Sequence, residues 1–291
     1  MRLSGLFLLL ASWPLKLFSS DSRFMKAVSF TKTLLVTVLS LSFGLTSFAQ
    51  PPAKDARPFL VGETLTYEAK ISRIIKGIAV ADLSFTVTDL PESHDLMITS
   101  EARSKGTLVK LFRYSFLQQF KSRIDGDSLQ ILGTAKHDVQ RERVRDSAAI
   151  FDYDEKRVTY VETDPNDVNR PPRKIASAIG DDTNDLVSGV YKIRTMPLTV
   201  GKSFEMAISD SGLVYKVTVK VTARELQKSI FGKVWCFRVE PDIFGPGRLI
   251  EREGRMSIWL TDDARRLPVR SQINTEYGRV EVKLKKALNI K

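Results

Sequence analysis

Apolar and polar residues alternate with a period of two over most of the chain beyond residue 58. The clearest run is residues 213–221, where Leu213, Tyr215, Val217, Val219 and Val221 share one face and mostly polar residues share the other. This period indicates strands with one buried and one solvated face, which is typical of antiparallel sheets. Similar runs predict strands at residues 64–70, 78–87, 116–124, 128–135, 148–153, 157–162, 204–208, 256–260 and 280–284.

Short turn sequences separate these runs, for example Asp125-Gly126-Asp127 and Asp210-Ser211-Gly212. Short strands spaced in this way predict a mainly β protein, with curved antiparallel sheets that form a partly closed barrel or a sandwich. In the run at 78–87 the apolar phase changes between Val80 and Leu83, which predicts a β-bulge near Ala81-Asp82.

Two segments follow a helical period instead. Leu186, Val190 and Ile193 recur at i, i+4 and i+7, and they predict one main helix at residues 182–194. Aspartates at its start and basic residues at its end favour a helix there. Residues 108–115 suit one or two further turns, and residues 166–178 are interpreted as a loop. Residues 59–287 are therefore expected to form a single β-rich domain, or two β-halves joined by the loop and helix of residues 166–194.

The start of the chain has the pattern of a secretory signal peptide. Residues 25–49 combine a basic n-region, an apolar stretch from Leu34 to Leu45 and a small-x-small cleavage pattern ending at Ala49. Residues 1–24 are interpreted as a start assigned too early or as a long n-region, and residues 50–58 as a flexible leader. We therefore expect a periplasmic, cell-surface or secreted protein with no stable transmembrane span after signal cleavage.

Charge and cysteine content narrow this picture. The first 49 residues hold five basic residues and one acidic residue, so cleavage would lower the formal net charge from +11 to +7. A charge of this size affects association with surfaces but defines no site. The single cysteine, Cys236, allows no internal disulfide and is expected to be a small buried residue. No cysteine lies near the terminus that cleavage after Ala49 would create, which argues against a lipid anchor.

Residues that could carry chemistry are sparse. The only histidines, His94 and His137, are isolated in sequence, and a zinc site needs three or four ligands. There is no nucleophile elbow and no phosphate-binding loop, and no nucleic-acid motif accompanies the basic residues. The acidic run from Asp181 to Asp185 is interpreted as helix capping. We therefore expect no catalytic, cofactor-binding or metal-binding residues.

Four stretches resemble a bacterial exported family known as domain of unknown function 3108, over about residues 58–287. They are residues 59–67 (FLVGETLTY), 185–194 (DLVSGVYKIR), 198–201 (LTVG) and 258–269 (IWLTDDARRLPV). The resemblance implies export and a β-rich fold, and the last strands are also similar to the half-barrels of periplasmic lipoprotein carriers. Within the second stretch, Asp185, Tyr191 and Arg194 are the residues expected to mark a binding or structural motif.

These features predict an exported, non-catalytic protein that binds a hydrophobic ligand, such as a lipid, or an envelope protein, in maintenance of the cell envelope. One alternative is a structural or assembly protein that acts through a surface or a sheet edge. The other is a hydrolase of envelope polymers, which would need a cluster of histidine and carboxylate side chains in a cleft.

Overall fold

The computed structural model describes residues 57–72, 77–276 and 278–291. The predicted start segment, the signal peptide and the leader up to residue 56 lie outside the described residues. No helix among those described is both long enough and apolar enough to span a membrane.

The described residues form fifteen strands and two helices. The strands are β1 (Thr64–Ser72), β2 (Ile78–Asp89), β3 (Leu96–Ser104), β4 (Phe116–Ile124), β5 (Ile131–Gln140), β6 (Arg143–Asp152), β7 (Arg157–Thr163), β8 (Arg173–Ala178), β9 (Thr183–Asp185), β10 (Ser203–Asp210), β11 (Leu213–Ser229), β12 (Gly232–Pro241), β13 (Gly254–Thr261), β14 (Pro268–Thr275) and β15 (Gly278–Leu288). The helices are α1 (Gly106–Phe112), between β3 and β4, and α2 (Leu186–Thr195), between β9 and β10.

All fifteen strands belong to one sheet, in the order β8-β7-β6-β5-β4-β3-β2-β1-β15-β14-β13-β12-β11-β10-β9. Strands β9 and β10 pair in parallel across α2, and the other neighbours pair antiparallel. Apart from β8 and β9, strands that follow each other in sequence are neighbours in the sheet, and the first and last strands, β1 and β15, also pair with each other. The two edges of the sheet are therefore β8 and β9. The predicted mainly β, antiparallel class is confirmed, and hydrogen bonds do not close the sheet into a barrel.

The curled sheet brings its two ends back into contact. The β10–β11 turn lies against β7 and β8, where Ser177 Oγ donates to the carbonyl oxygen of Gly212 at 2.6 Å. A Cβ at Gly212 would lie 2.6 Å from Cβ of Tyr160 and 2.9 Å from Cβ of Ile175. The φ of Gly212 is +80°, so both the close approach and the backbone conformation require glycine.

One face of the sheet supplies the core, and α2 packs on that face. Along β4 every second residue from Phe116 to Ile124 is buried. Helix α2 contacts β3, β4, β9 and β10, and it buries Val187, Tyr191 and Ile193. A helix of ten residues is marginal in isolation, so its packed face and its two ends must hold it in place.

The structure corrects two sequence-based boundaries. Residues 173–178, interpreted as loop, form β8, whose single large apolar residue, Ile175, gave too weak an alternation to predict a strand. The predicted main helix is present, but it begins at Leu186 because Thr183–Asp185 pair with β10 as β9. The predicted bulge lies at Val80, where Ala69 pairs with Ala81 and the next residue of β1 pairs with Ala79.

Candidate functional site

The N-terminal end of α2 is fixed by a capping box. Asp185 Oδ1 accepts hydrogen bonds from the backbone nitrogens of Val187 at 2.9 Å and Ser188 at 2.6 Å, and Ser188 Oγ accepts from the backbone nitrogen of Asp185. The other carboxylate oxygen of Asp185 accepts from Ser122 Oγ on β4 at 2.5 Å. Burial raises the pKa of Asp185, and these hydrogen bonds oppose that shift. The expectation that this acidic run caps the helix thus agrees with the geometry at Asp185.

The C-terminal end of α2 is fixed by a buried ion pair. Arg194 donates to Glu63 through two parallel hydrogen bonds, Nη1 to Oε1 at 2.6 Å and Nη2 to Oε2 at 2.8 Å. The guanidinium also donates to the backbone oxygens of Pro58 and Arg265. Both side chains of the ion pair have no exposed area. Burial alone would lower the pKa of Arg194, but the hydrogen bonds and charge of Glu63 reverse this and raise it.

Two aromatic rings enclose this ion pair. The Cζ atom of Arg194 lies 5.0 Å from the ring centre of Tyr191 and 5.4 Å from that of Phe59. The two rings meet edge to face, with centres 5.0 Å apart. Such contacts add a cation–π attraction that is strongest away from water. The cluster formed by Phe59, Glu63, Tyr191 and Arg194 is called here the arginine cluster.

Tyr191 differs from Arg194 because its polar atom makes no well-formed hydrogen bond, although the Glu63 carboxylate is close enough to raise the pKa of the phenol. Its Oη is buried and has no hydrogen-bond partner among the described residues. Burial, followed by the charge of Glu63, raises the pKa of Tyr191. Of the three residues expected to mark a motif, Asp185 and Arg194 therefore use their polar atoms within the fold, while the buried hydroxyl of Tyr191 lies beside the Glu63 carboxylate without a well-formed hydrogen bond.

Two apolar cavities flank α2 and share Val190 and Ile258 in their walls. The first, of about 30 Å³, adjoins the arginine cluster. It is lined by Leu65, Tyr67, Leu83, Phe85, Val190, Tyr191, Arg194, Ile258, Pro268, Arg270, Ser271 and Val282. The second, of about 60 Å³, has an apolar lining from Leu186, Gly189, Val190, Ile193, Met206, Ile208, Val217, Val219, Pro241, Ile243, Leu249, Ile250, Met256 and Ile258.

A third cavity, of about 20 Å³, is polar and lies beside the N-terminal end of α2. Asp185, Asp210 and Lys136 are in its wall. Burial raises the pKa of Asp210 to about 7, against the opposing charge of Lys136 and a hydrogen bond from Ser211. Asp210 is therefore a partly buried carboxylate that forms no salt bridge among the described residues, and no sequence pattern distinguished it from other strand-end aspartates.

The remaining sequence candidates do not assemble with this site. His94 lies in the β2–β3 turn, and His137 lies on β5, where its Nδ1 is 2.6 Å from Asp146 Oδ1 in a half-exposed pair. Cys236 is buried as expected, and burial raises its pKa to about 12. Within the described ranges, no group of three or more histidine, cysteine or carboxylate residues could hold a metal ion.

Three of the stretches that carry the family resemblance converge at the arginine cluster. Residues 59–67 contribute Phe59 and Glu63, residues 185–194 contribute Tyr191 and Arg194, and residues 258–269 contribute the backbone oxygen of Arg265. Sequence reasoning selected Tyr191 and Arg194 but missed Glu63. The available signal was that Glu63, a charged residue, lies directly before the predicted strand at residues 64–70.

A family model described as "Protein of unknown function (DUF3108)" matches residues 66–285. No curated protein matches the chain.

Solved structures are similar at low identity. A β-barrel-like protein of domain of unknown function DUF1849 from Brucella abortus has a TM-score of 0.55 and 12% identity, over 80% of this chain and 99% of that one. An exported protein with a YmcC-like fold from Bacteroides fragilis has a TM-score of 0.34 and 11% identity, over 79% of this chain and 97% of that one. A lipoprotein from Parabacteroides distasonis has a TM-score of 0.30 and 10% identity, over 80% and 98%. The first similarity shows a shared fold alone.

Proposed function

Since this chain belongs to the DUF3108 family of proteins of unknown function, as its resemblance predicted, we propose that it is an exported, non-catalytic protein of the cell envelope. Its proposed role is to bind a hydrophobic ligand beneath α2. The family description names no activity, so the proposal depends on the site itself.

The observation that supports ligand binding is the pair of apolar cavities on either side of Val190. Their walls share Val190 and Ile258, so a shift of these two side chains would join them. Apolar walls with a few convergent polar groups are typical of sites for small hydrophobic ligands.

The volumes limit what this site accepts. Together the cavities provide less space than the cavity of about 150 Å³ that binds benzene in an engineered protein. The apolar part of the ligand is therefore short, or α2 moves outward to admit a longer acyl chain. Outward movement would require breaking the contacts of Asp185 or Arg194 at the helix ends.

The buried hydroxyl of Tyr191, which makes no well-formed hydrogen bond, gives the site a polar end. A buried phenol without a partner carries a desolvation cost, which an oxygen atom of a ligand would remove. This favours an amphiphile, with its oxygen at Tyr191 and its apolar part in the cavities.

Native mass spectrometry of protein purified from its own envelope tests the proposal. We expect an adduct of discrete mass on the wild type and its loss in Val190→Phe, which fills the shared wall of both cavities. Val168→Phe is the matched control, because Val168 is 88% exposed.

The proposal fails if the wild type carries no small adduct, or if Val190→Phe retains it. A co-purifying protein chain without any adduct would instead support the assembly hypothesis.

A further inference from the structure

The β11–β12 hairpin extends beyond the strands on both sides of it. Strand β10 pairs with β11 only as far as Lys220, and β13 pairs with β12 only from Cys236. Residues 224–235 therefore form a two-stranded projection, called here the ribbon.

One face of the ribbon exposes apolar side chains. Leu226 and Trp235 are directly opposite each other and are 46% and 49% exposed, and Ile230 in the turn is 43% exposed. Trp235 lies on the same face of β12 as Phe237 and Val239, which are buried. The core face of the sheet thus continues onto the ribbon without any described element to cover it.

The same face carries two lysines that oppose each other. Lys228 and Lys233 are cross-strand partners, both are exposed, and neither has a carboxylate partner among the described residues. Like charges directly opposite each other destabilise a hairpin. Next to them, Arg224 is paired with Asp262 and lies 4.4 Å above the ring of Trp235.

The other face of the ribbon carries Glu225 and Gln227 beside Val234, and all three are partly buried. Glu225 accepts a hydrogen bond from Nε1 of Trp259, and Gln227 accepts one from Nη1 of Arg270 at 3.0 Å. This face of the ribbon is therefore tied by hydrogen bonds to β13 and β14, whereas the face with Leu226, Trp235 and the two lysines is the more exposed one. This is the reverse of the usual arrangement for a solvated strand.

We propose that the ribbon docks onto the surface of an anionic lipid bilayer. Trp235, Leu226 and Ile230 enter the headgroup boundary, where amphipathic and aromatic side chains are favoured. Lys228 and Lys233 reach the lipid phosphates, and their apolar stems lie along the same boundary. The negative surface supplies the counter-charge that the two opposed lysines lack within the protein.

This docking surface is separate from the cavities beneath α2. Val190 lines both cavities, whereas no residue of the ribbon lines either of them. Docking therefore does not depend on the ligand, and the two proposals can fail separately.

Vesicle flotation of the exported protein tests the docking. We expect the wild type to float with vesicles of equimolar phosphatidylcholine and phosphatidylglycerol, and much less with phosphatidylcholine alone. Replacing both lysines, Lys228→Gln with Lys233→Gln, should weaken binding roughly 30-fold, since each surface lysine contributes about fivefold. The matched control, Lys174→Gln with Lys216→Gln, removes the same charge elsewhere and should bind within about twofold of the wild type.

Brominated phosphatidylglycerol locates the contact. It should quench the fluorescence of exposed Trp235, and this quenching should disappear in Trp235→Phe, which keeps buried Trp259. Val190→Phe should float like the wild type even if it loses its ligand. The proposal is overturned if the ribbon and control variants bind vesicles equally, if bromine does not quench Trp235, or if the wild type binds an acidic protein but no vesicle.

Discussion

The arginine cluster and the ribbon each place an arginine over an aromatic ring, but one region is buried and the other is exposed. In the arginine cluster, Arg194 lies over two aromatic rings, and Glu63 matches its charge with no exposed area. In the ribbon, Arg224 lies over Trp235, but half of that ring is exposed and two neighbouring lysines lack counter-charges.

Both arginines have a carboxylate partner, so the difference lies in burial and in the two lysines of the ribbon, whose charges the protein does not match. A buried ion pair is costly to break, because removing one partner leaves an uncompensated charge in a water-free site. An unpaired charge on an exposed apolar face costs little and remains available to a partner. The first arrangement therefore serves the fold, and the second serves an interaction.

Breaking the arginine cluster should cause the largest change in the free energy of unfolding. Glu63→Gln leaves Arg194 buried without its counter-charge and should lower the free energy of unfolding by about 3–5 kcal/mol. Chemical denaturation of wild type and variant measures this, with Glu205→Gln, on an exposed ion pair, as the control. A loss below about 1 kcal/mol, no larger than for a surface pair, would mean that the cluster does not anchor α2.

Asp210 tests whether pairing or desolvation matters more, because its carboxylate is desolvated and forms no salt bridge among the described residues. Burial raises its pKa from 3.8 to about 7, so the folded state binds a proton that the unfolded state releases. The stability contributed by this proton is fully present below about pH 3.8 and is lost as the pH rises through about 7.

Asp210→Asn should therefore be more stable than the wild type at pH 8, by at most about 4 kcal/mol, and the advantage should vanish near pH 3.5. Urea unfolding across this range measures it, and Asp182→Asn, on an exposed residue, should show no such trend. Equal stability of Asp210→Asn and wild type at every pH would contradict the raised pKa.

A smaller effect is expected at the opposite end of α2. Asp185→Ala removes the capping side chain and should cost about 0.5–2 kcal/mol of stability. Asp182→Ala, which keeps the capping box, should stay within about 0.5 kcal/mol of the wild type. Thermal unfolding distinguishes the two, and equal losses would show that the acidic run acts only through its general charge.

The smallest change in stability is expected in the ribbon, and it is a gain rather than a loss. Lys228→Glu places opposite charges across the hairpin at Lys233 and should stabilise the protein by about 0.2–1 kcal/mol. The same change should weaken vesicle binding. A gain in melting temperature together with a loss of flotation would separate the two regions cleanly, whereas a destabilised variant would show that the lysines support the fold.

Most strands were predictable because their alternation is a local property of the sequence, but strands such as β3 and β12 lay outside the predicted runs. Residues 116–124 were predicted with the boundaries that β4 has, and the bulge in β2 appeared as a phase change. Strand β8 was not predictable, because it is defined by pairing with β7 and by cover from the β10–β11 turn rather than by apolar residues of its own.

The arginine cluster was only half predictable, for a related reason. Arg194 and Glu63 are 131 residues apart, and no local period connects them. Tyr191 and Arg194 stood out within one sequence stretch, but their partner became evident only when β1 and α2 met in space. Asp210 and the opposed lysines likewise depend on strand register, which a single sequence does not specify.

The pairing of β1 with β15 has a consequence for the time at which the sheet forms. Thr64 pairs with Leu288 and Ser72 pairs with Arg279, so the central seam joins residues more than 200 positions apart. During synthesis from the N-terminal end, β1 can pair with β2 early, but it must wait for thirteen further strands before its second neighbour, β15, is made. Its open edge during that interval is an adhesive surface, so a holding factor that binds extended strands would be most needed before β15 arrives.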